Sequence, residues 1–335
     1  MTAATAPGAS AGVALSTPPW RKPKVGFGDL VALTLRQQRL ALILTVLAYV
    51  LFGLLVVLSN GRVTLGHWVF DPKDFTPAFA GLIAVFWGAP LLATEYEQRT
   101  HLLVWSQDVS AMRWLIAKLA LLGGTVVVLA GLLDLVVGIQ AADVYISGFS
   151  YFNPLGAFGE IGYETWLPLA LAYAVFGFFL GVAVGAVCRR IVAAMGFTLV
   201  GFVAVRALIN IELRPWLLAH LMPPVRGIWP LADWDKPGPN AAAMPGPNDY
   251  LVNMQLWLGK SGQALDFPTA CAQTGGSDQA FVQCMIHNGV VSEGTDYQTY
   301  ARLHVFQSVE LAVYLGLIVV CVWLAVWSVR RLRSS

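Results

Sequence analysis

Three ionisable residues lie inside long apolar runs of this sequence: Asp134, Arg206 and Glu310. A charge in such a run is costly, so each of the three is a functional candidate by default. We predict that Arg206 pairs with Asp134, with Glu310 or with both. Such a cluster could form a gate or part of a polar path, or it could be a static ion pair that only satisfies Arg206.

Other signals of chemistry are weak. The five histidines form no metal-binding pattern, and no nucleophile elbow of the GxSxG type is present. Gly259-Lys260-Ser261 looks like the end of a phosphate-binding loop, but Met254 stands where that motif needs its first glycine. We therefore expect no catalytic residue, no metal site and no ATP site in this chain, which is not predicted to be an enzyme.

Composition indicates which elements position these residues. The chain has 335 residues, of which 57% are hydrophobic and 12% charged, and its net charge is +2. Soluble domains carry about 25% charged residues. A helix needs ~20 apolar residues to cross a bilayer, and six runs suffice, which predicts an all-α polytopic membrane protein. The predicted spans are Leu40–Leu58, Pro77–Thr94, Trp114–Val137, Trp166–Val187, Ile191–Asn210 and Val305–Val329.

The segment before span 1 has two parts. Residues 1–25 are rich in Ala, Thr, Pro and Ser, lack a signal-peptide pattern, and are expected to be a disordered tail. In residues 26–39 the apolar side chains Phe27, Leu30, Val31 and Leu35 share one helical face. This pattern predicts an interfacial helix on the membrane surface; the alternative is a frayed start of span 1.

The distribution of Lys and Arg predicts the orientation. Thirteen of the 21 lie in the N-terminal segment, the 2–3 loop, the 4–5 turn and the C-terminal tail. Short cation-rich segments stay in the cytoplasm. Both termini are therefore predicted to be cytoplasmic, in a multi-pass protein of the cell membrane. We divide the chain into the tail (1–25), the interfacial helix with spans 1–5 (26–210), an extracytoplasmic segment (211–304), and span 6 with a basic tail (305–335).

The extracytoplasmic segment 211–304 is too long for a plain loop and is rich in Pro and Gly. Tyr250–Leu258 and Asp278–Ile286 show helical spacing. Cys271 and Cys284 form an even pair on the oxidising side, which predicts one disulfide; two free thiols are the alternative.

Span 4 carries Gly177, Gly181 and Gly185 at four-residue spacing. Small residues on one face let two helices approach closely, which favours a helix-packing face. The spacing leaves open whether the contact lies within one subunit or between two. The alternative is that apolar spans are often rich in glycine.

A polar island, Glu95–Lys118, separates spans 2 and 3. From Gly88 it reads GAPLLATEYEQRTHLLVWSQDVS and ends in Arg113-Trp114 and Lys118. This run resembles the membrane subunits of type-2 ATP-binding-cassette exporters, of the actinobacterial type. The six-span layout with an N-terminal interfacial helix agrees, whereas the outer segment is longer than is usual in that family.

The resemblance implies a permease subunit that faces a second membrane subunit, identical or related, across the path of a hydrophobic or amphipathic substrate. A separate cytoplasmic ATPase, which would hold ATP and Mg, would bind the loop 95–113. Acidic and basic groups would form the rim of that contact and apolar groups its anchors. The rim candidates are Glu95, Glu97, Arg99 and His101, and the anchor candidates are Leu102, Leu103 and Trp105.

Two other readings stay open. The loop could be solvated, with charges that only mark topology. The chain could instead be a membrane-anchored extracytoplasmic sensor or immunity protein, in which segment 211–304 binds a ligand. Nothing in the composition favours a nucleic-acid partner. An intramembrane enzyme is disfavoured because the spans contain no catalytic dyad.

Overall fold

The computed structural model describes residues 27–59, 63–65, 68–70, 75–98, 111–145, 157–233, 245–246, 248–273 and 278–334. Within them, six helical stretches are long and apolar enough to cross a membrane, which confirms the predicted number of candidate spans. The helices that contain them are Phe27–Leu58 (span 1), Thr76–Glu97 (span 2), Ala111–Tyr145 (span 3), Leu167–Cys188 (span 4), Ile191–His220 (span 5) and Leu303–Ser334 (span 6).

Two spans contain a π-helical turn that ends two residues before a proline. In span 2 the turn is Ala84–Gly88, followed by Pro90; in span 5 it is Ile209–Leu213, followed by Pro215. Proline lacks an N–H and its ring clashes with the carbonyl four residues earlier. A wider turn absorbs that conflict without ending the helix. Both spans therefore continue past their prolines.

Span 4 is the centre of the bundle and packs against spans 2, 3, 5 and 6. Its large side chains Phe176 and Phe178 are fully buried. Span 1 packs mainly on span 3 and leaves most of its apolar side chains exposed, Leu40 and Leu44 among them. Such a surface suits lipid or another apolar partner rather than water.

Two predicted boundaries differ from the structure. Residues 27–39 are continuous with span 1, because one unbroken helix runs from Phe27 to Leu58. Span 5 was predicted to end at Asn210 but continues to His220 through the π turn. Segment 211–304 therefore begins with ten residues of helix.

The all-α prediction is wrong for the segment between spans 5 and 6. That segment contains a four-stranded antiparallel sheet in the order β3-β6-β4-β5. The strands are β3 (Val225–Pro230), β4 (Tyr250–Leu258), β5 (Ala264–Leu265) and β6 (Ser292–Gln298); β1 (Val63–Leu65) and β2 (Trp68–Phe70) form a hairpin between spans 1 and 2.

Strand β4 occupies the stretch that was predicted to be helical. Its pairing with β6 shifts register twice, between Leu251 and Asn253 and between Asn253 and Leu256. Each irregularity breaks the alternation of inward and outward side chains that marks a strand. The apolar spacing of β4 therefore imitates a helix. The second prediction holds, since Asp278–His287 is an α-helix.

A disulfide joins Cys271 to Cys284, as predicted. It links a short turn at Thr269–Gln273 to the helix Asp278–His287, beside a small core that contains Trp257 and Met285. The sheet is also fastened to the bundle. The Gln298 amide at the end of β6 donates to the carbonyls of Leu218 and Met222, at 3.1 and 2.8 Å.

Candidate functional site

A cluster of four buried charges occupies the half of the bundle nearer the sheet. Glu164 lies just before span 4, Arg206 and Arg214 lie on span 5, and Glu310 lies on span 6. Their exposed fractions are 9%, 8%, 7% and 0%. We call these four residues the charge cluster.

Arg206 and Arg214 share the Glu164 carboxylate. Arg206 Nη2 donates to both Glu164 oxygens at 2.7 Å, and Arg214 Nη2 donates to Glu164 Oε1 at 3.1 Å. Arg214 also donates to both Glu310 oxygens at 3.0 Å, through Nε and Nη2. Arg214 therefore bridges the two acids and ties span 5 to span 6.

Tyrosines enclose the charge cluster. The Tyr173 hydroxyl donates to Glu310 Oε1 at 2.8 Å, and the Arg206 guanidinium lies 4.0 Å from the centre of the Tyr173 ring. Arg214 lies 4.3 Å from the Tyr163 ring, and Arg206 Nη1 is 3.4 Å from the Tyr314 hydroxyl. Planar guanidinium groups suit paired hydrogen bonding and ring stacking together, which a lysine could not provide.

The predicted pairing of Arg206 is wrong. Its carboxylate partner is Glu164, and Glu310 is bound by Arg214 instead. The apolar pattern does not indicate Glu164 because it lies before the apolar run of span 4, and it does not indicate Arg214 because that residue lies after the apolar run of span 5. One signal was available: Arg206, Asn210 and Arg214 recur every four residues, on one side of a helix. Asn210 Nδ2 also reaches Glu164 Oε1, at 3.4 Å.

With two acids and two arginines, the charge cluster is neutral as a whole. Every one of its members has an oppositely charged partner at hydrogen-bond distance. No group of three metal-binding side chains occurs in the part of the chain that the structure describes. The geometry suits a polar joint between spans 4, 5 and 6 rather than a catalytic centre.

Asp134 of span 3 stands apart from the charge cluster. Its exposed fraction is 8%, and it has neither a hydrogen bond nor an ion pair with a described residue. It lines a cavity bounded by spans 1 to 4, and Glu164 and Tyr173 line the same cavity. The structure thus brings Asp134 to the same cavity as the charge cluster without pairing it with Arg206.

The first acids of the polar island make contacts inside the bundle. Glu95 forms a salt bridge with Lys118 of span 3, and the Lys118 ammonium lies 4.5 Å from the centre of the Trp114 ring. Glu97 Oε2 accepts a hydrogen bond from the backbone N–H of Ile191 at 2.9 Å. Ile191 is the first residue of span 5, so the Glu97 carboxylate caps an N–H that has no partner within that helix.

The other docking candidates cannot be placed in this way. Arg99, His101, Leu102, Leu103 and Trp105 lie outside the described residues. The two ends of the loop are nevertheless defined. Span 2 ends at Glu97, whose carboxylate holds span 5, and span 3 contains Lys118, which holds Glu95.

The three span-4 glycines face span 2 of the same chain. A Cβ at Gly177 would lie 2.8 Å from Ala80 O, and a Cβ at Gly181 or Gly185 would overlap the carbonyl oxygen of Ala84 or Ala89. Only glycine permits this approach of two backbones. The structure therefore uses this face for an internal contact, around the π turn of span 2.

One further ion pair lies in the sheet. Arg226 of β3 donates to both carboxylate oxygens of Asp296 on β6, at 2.7 and 2.9 Å. These hydrogen bonds, with a smaller contribution from Asn253, hold the pKa of Asp296 below its ordinary value although burial opposes the shift. Arg226 is half exposed, so this pair is more solvated than the charge cluster.

Residues 73–214 match the family model described as ABC-2 membrane transporter related. The match spans less than half of the chain and includes spans 2 to 4, the polar island, and the Glu164, Arg206 and Arg214 of the charge cluster. It supports a membrane subunit of an ABC transporter. No curated protein and no solved structure matches the chain.

Proposed function

We propose that this chain is the transmembrane subunit of an ATP-driven ABC exporter. It forms a substrate path with a second membrane subunit, and a separate cytoplasmic ATPase drives it through the loop 95–113. The observation that carries the proposal is the match of residues 73–214 to the ABC-2 family model. The six apolar helices fit the same role.

The ends of the loop support coupling through this region. Glu97 connects the end of span 2 to the start of span 5, and Glu95 connects the same helix end to span 3. A force on the loop would therefore reach three spans at once. Packed helices respond to such a force by moving as rigid bodies, which is the motion that alternating access requires.

The buried salt bridge changes the role proposed for Glu95. Because Glu95 is paired with Lys118 inside the bundle, it positions the loop rather than contacting the ATPase. Glu97 is exposed although it accepts a hydrogen bond from Ile191, so it can position the loop and also contact the ATPase. Trp105, Leu102 and Leu103 remain the proposed anchors in the ATPase cleft.

Co-purification tests this function. The chain, extracted in a gentle detergent from its native host, should carry a cytoplasmic ATPase with it. Glu97→Gln and Trp105→Ala should abolish substrate-stimulated ATP hydrolysis by the complex, whereas Glu212→Gln, an exposed acid on span 5, should not. A preparation that never retains an ATPase would refute the exporter proposal.

A membrane-anchored sensor or immunity protein is the second candidate. The observation that favours it is the disulfide-bonded sheet between spans 5 and 6, which is a folded unit rather than a loop. A sensor would bind an extracytoplasmic molecule on that sheet and would purify without an ATPase. The same co-purification therefore separates the two candidates.

A further inference from the structure

A cavity of about 60 Å³ lies between spans 1, 2, 3 and 4, close to the charge cluster. A water molecule needs about 10–15 Å³ measured in this way, so the cavity can hold a few waters or one small polar group. Its walls include two carboxylates, from Asp134 and Glu164, and three aromatic rings, from Tyr49, Phe79 and Tyr173.

The two carboxylates differ in their charge balance. Glu164 is neutralised by Arg206 and Arg214. Asp134 has no positively charged partner among the described residues, although it is more than nine-tenths buried. A buried carboxylate that faces a cavity is stabilised when a cation occupies that cavity. The cavity is therefore suited to a positive charge.

The aromatic walls favour the same kind of ligand. Tyr49 and Phe79 pack edge to face, with ring centres 5.0 Å apart, and both border the cavity that Asp134 lines. Aromatic faces attract cations, and organic ammonium groups are recognised by aromatic side chains together with a carboxylate. A small hydrated metal ion would make less use of these rings.

A second cavity of about 330 Å³ adjoins the first, because Tyr49 and Phe79 line both. It is a groove between spans 1 and 2 with almost entirely apolar walls, among them Leu44, Leu82 and Phe86. The Thr45 hydroxyl in this groove already accepts a hydrogen bond from the Trp87 indole at 2.6 Å. The groove therefore fits a hydrocarbon chain.

From this geometry we propose that the chain binds a cationic amphiphile, with its ammonium group at Asp134 and its apolar tail in the groove between spans 1 and 2. That this ligand is a transported substrate rests on the proposed exporter function. Its binding to the chain does not rest on that function. Tyr49 and Phe79 mark the boundary between the head and the tail.

Binding can be measured without any ATPase. The full chain is placed in phosphatidylcholine nanodiscs and equilibrated with decyltrimethylammonium, with empty nanodiscs as the measure of lipid uptake. We expect saturable binding beyond that background. Asp134→Asn should weaken it about tenfold or more, since contacts to a charged group contribute on this scale. Glu212→Gln, which removes an exposed acid that lines neither cavity, should leave the affinity unchanged.

A second variant addresses the tail and does not touch the buried acid. Ala48 is exposed and lines only the groove, so Ala48→Trp should fill it without disturbing the core. Its affinity for decyltrimethylammonium should fall several-fold, while its affinity for butyltrimethylammonium stays the same. This variant also tests the proposal if Asp134→Asn fails to fold.

Three results would overturn the inference: no binding beyond that of empty nanodiscs, unchanged affinity in both variants, or equally tight binding of decyl sulfate. None of them depends on an ATPase partner. Failure of the exporter proposal would appear instead as a missing ATPase in the co-purification, with binding of the cation intact.

Discussion

Arg214 is the residue on which the charge cluster depends most, because it bridges both acids. Replacing it with Met keeps an unbranched side chain and removes three hydrogen bonds to carboxylates, two of them to Glu310, and a longer one to the Tyr173 hydroxyl. Glu164 would still be held by Arg206, but Glu310, which is fully buried, would retain only the Tyr173 hydroxyl. The substitution therefore strands one carboxylate.

Leaving one uncompensated charge in a buried ion pair costs about 3–5 kcal/mol. At roughly 2–4 °C per kcal/mol, Arg214→Met should lower the apparent melting temperature by about 6–20 °C. A thiol-reactive dye can follow unfolding in detergent, because the Cys321 thiol is buried in the folded bundle.

Two further variants make the experiment decisive. Arg226→Met leaves the buried Asp296 carboxylate without its arginine, but Asn253 still donates to it at 3.3 Å, so the cost should be smaller, on the order of 1–3 kcal/mol. Adding Glu310→Gln to Arg214→Met removes the stranded charge and should restore about half of the lost stability. If Arg214→Met costs no more than Arg226→Met, or if Glu310→Gln restores nothing, the bridging role of Arg214 is wrong.

Three other predictions concern packing, the disulfide and pH. Gly181→Val should abolish the yield of monodisperse protein on size exclusion, since its Cβ would overlap Ala84 O, whereas Gly196→Val, at a site with open space, should not. Replacing both cysteines of the Cys271 disulfide with Ser should destabilise the sheet by about 3 kcal/mol and speed its cleavage by protease while the spans stay intact; unchanged cleavage would contradict this. The pKa of Asp296 is lowered on folding, so its ionised carboxylate stabilises the folded state at a pH above the pKa of the unfolded chain. This stabilisation is lost as the pH falls through the lower pKa of the folded state. Hydrogen exchange of the sheet should therefore accelerate in strong acid in the wild type and lose this dependence in Asp296→Asn.

The identity of the buried charges was only partly predictable. A charge within an apolar run is visible in a sequence, so Arg206 and Glu310 could be named. Arg214 could not be counted as part of a span, because Pro215 and the polar residues around it end the apolar run. The π turn carries the helix past that proline and brings Arg214 beneath Glu310.

The partners of these charges were decided by helix packing. Spacing along one helix gives the depth of a residue but not the direction in which its neighbours are rotated. The glycine face of span 4 sets its approach to span 2 and hence the direction of its other faces. Glu164 precedes span 4, and this arrangement puts it opposite Arg206, whereas Asp134 is left on the cavity wall.

The amino-acid sequence by itself determined the number of apolar helices, the disulfide and the presence of Arg206 and Glu310 within apolar runs, because each follows from composition or from spacing along the chain. Tertiary structure alone decided the sheet between spans 5 and 6, the partners of Arg206 and Glu310, the salt bridge of Glu95 and the helix cap made by Glu97. These depend on contacts between segments far apart in sequence, for which local periodicity contains no information. Strand β4 shows the limit most clearly, since its irregular pairing with β6 gives an apolar pattern that resembles a helix.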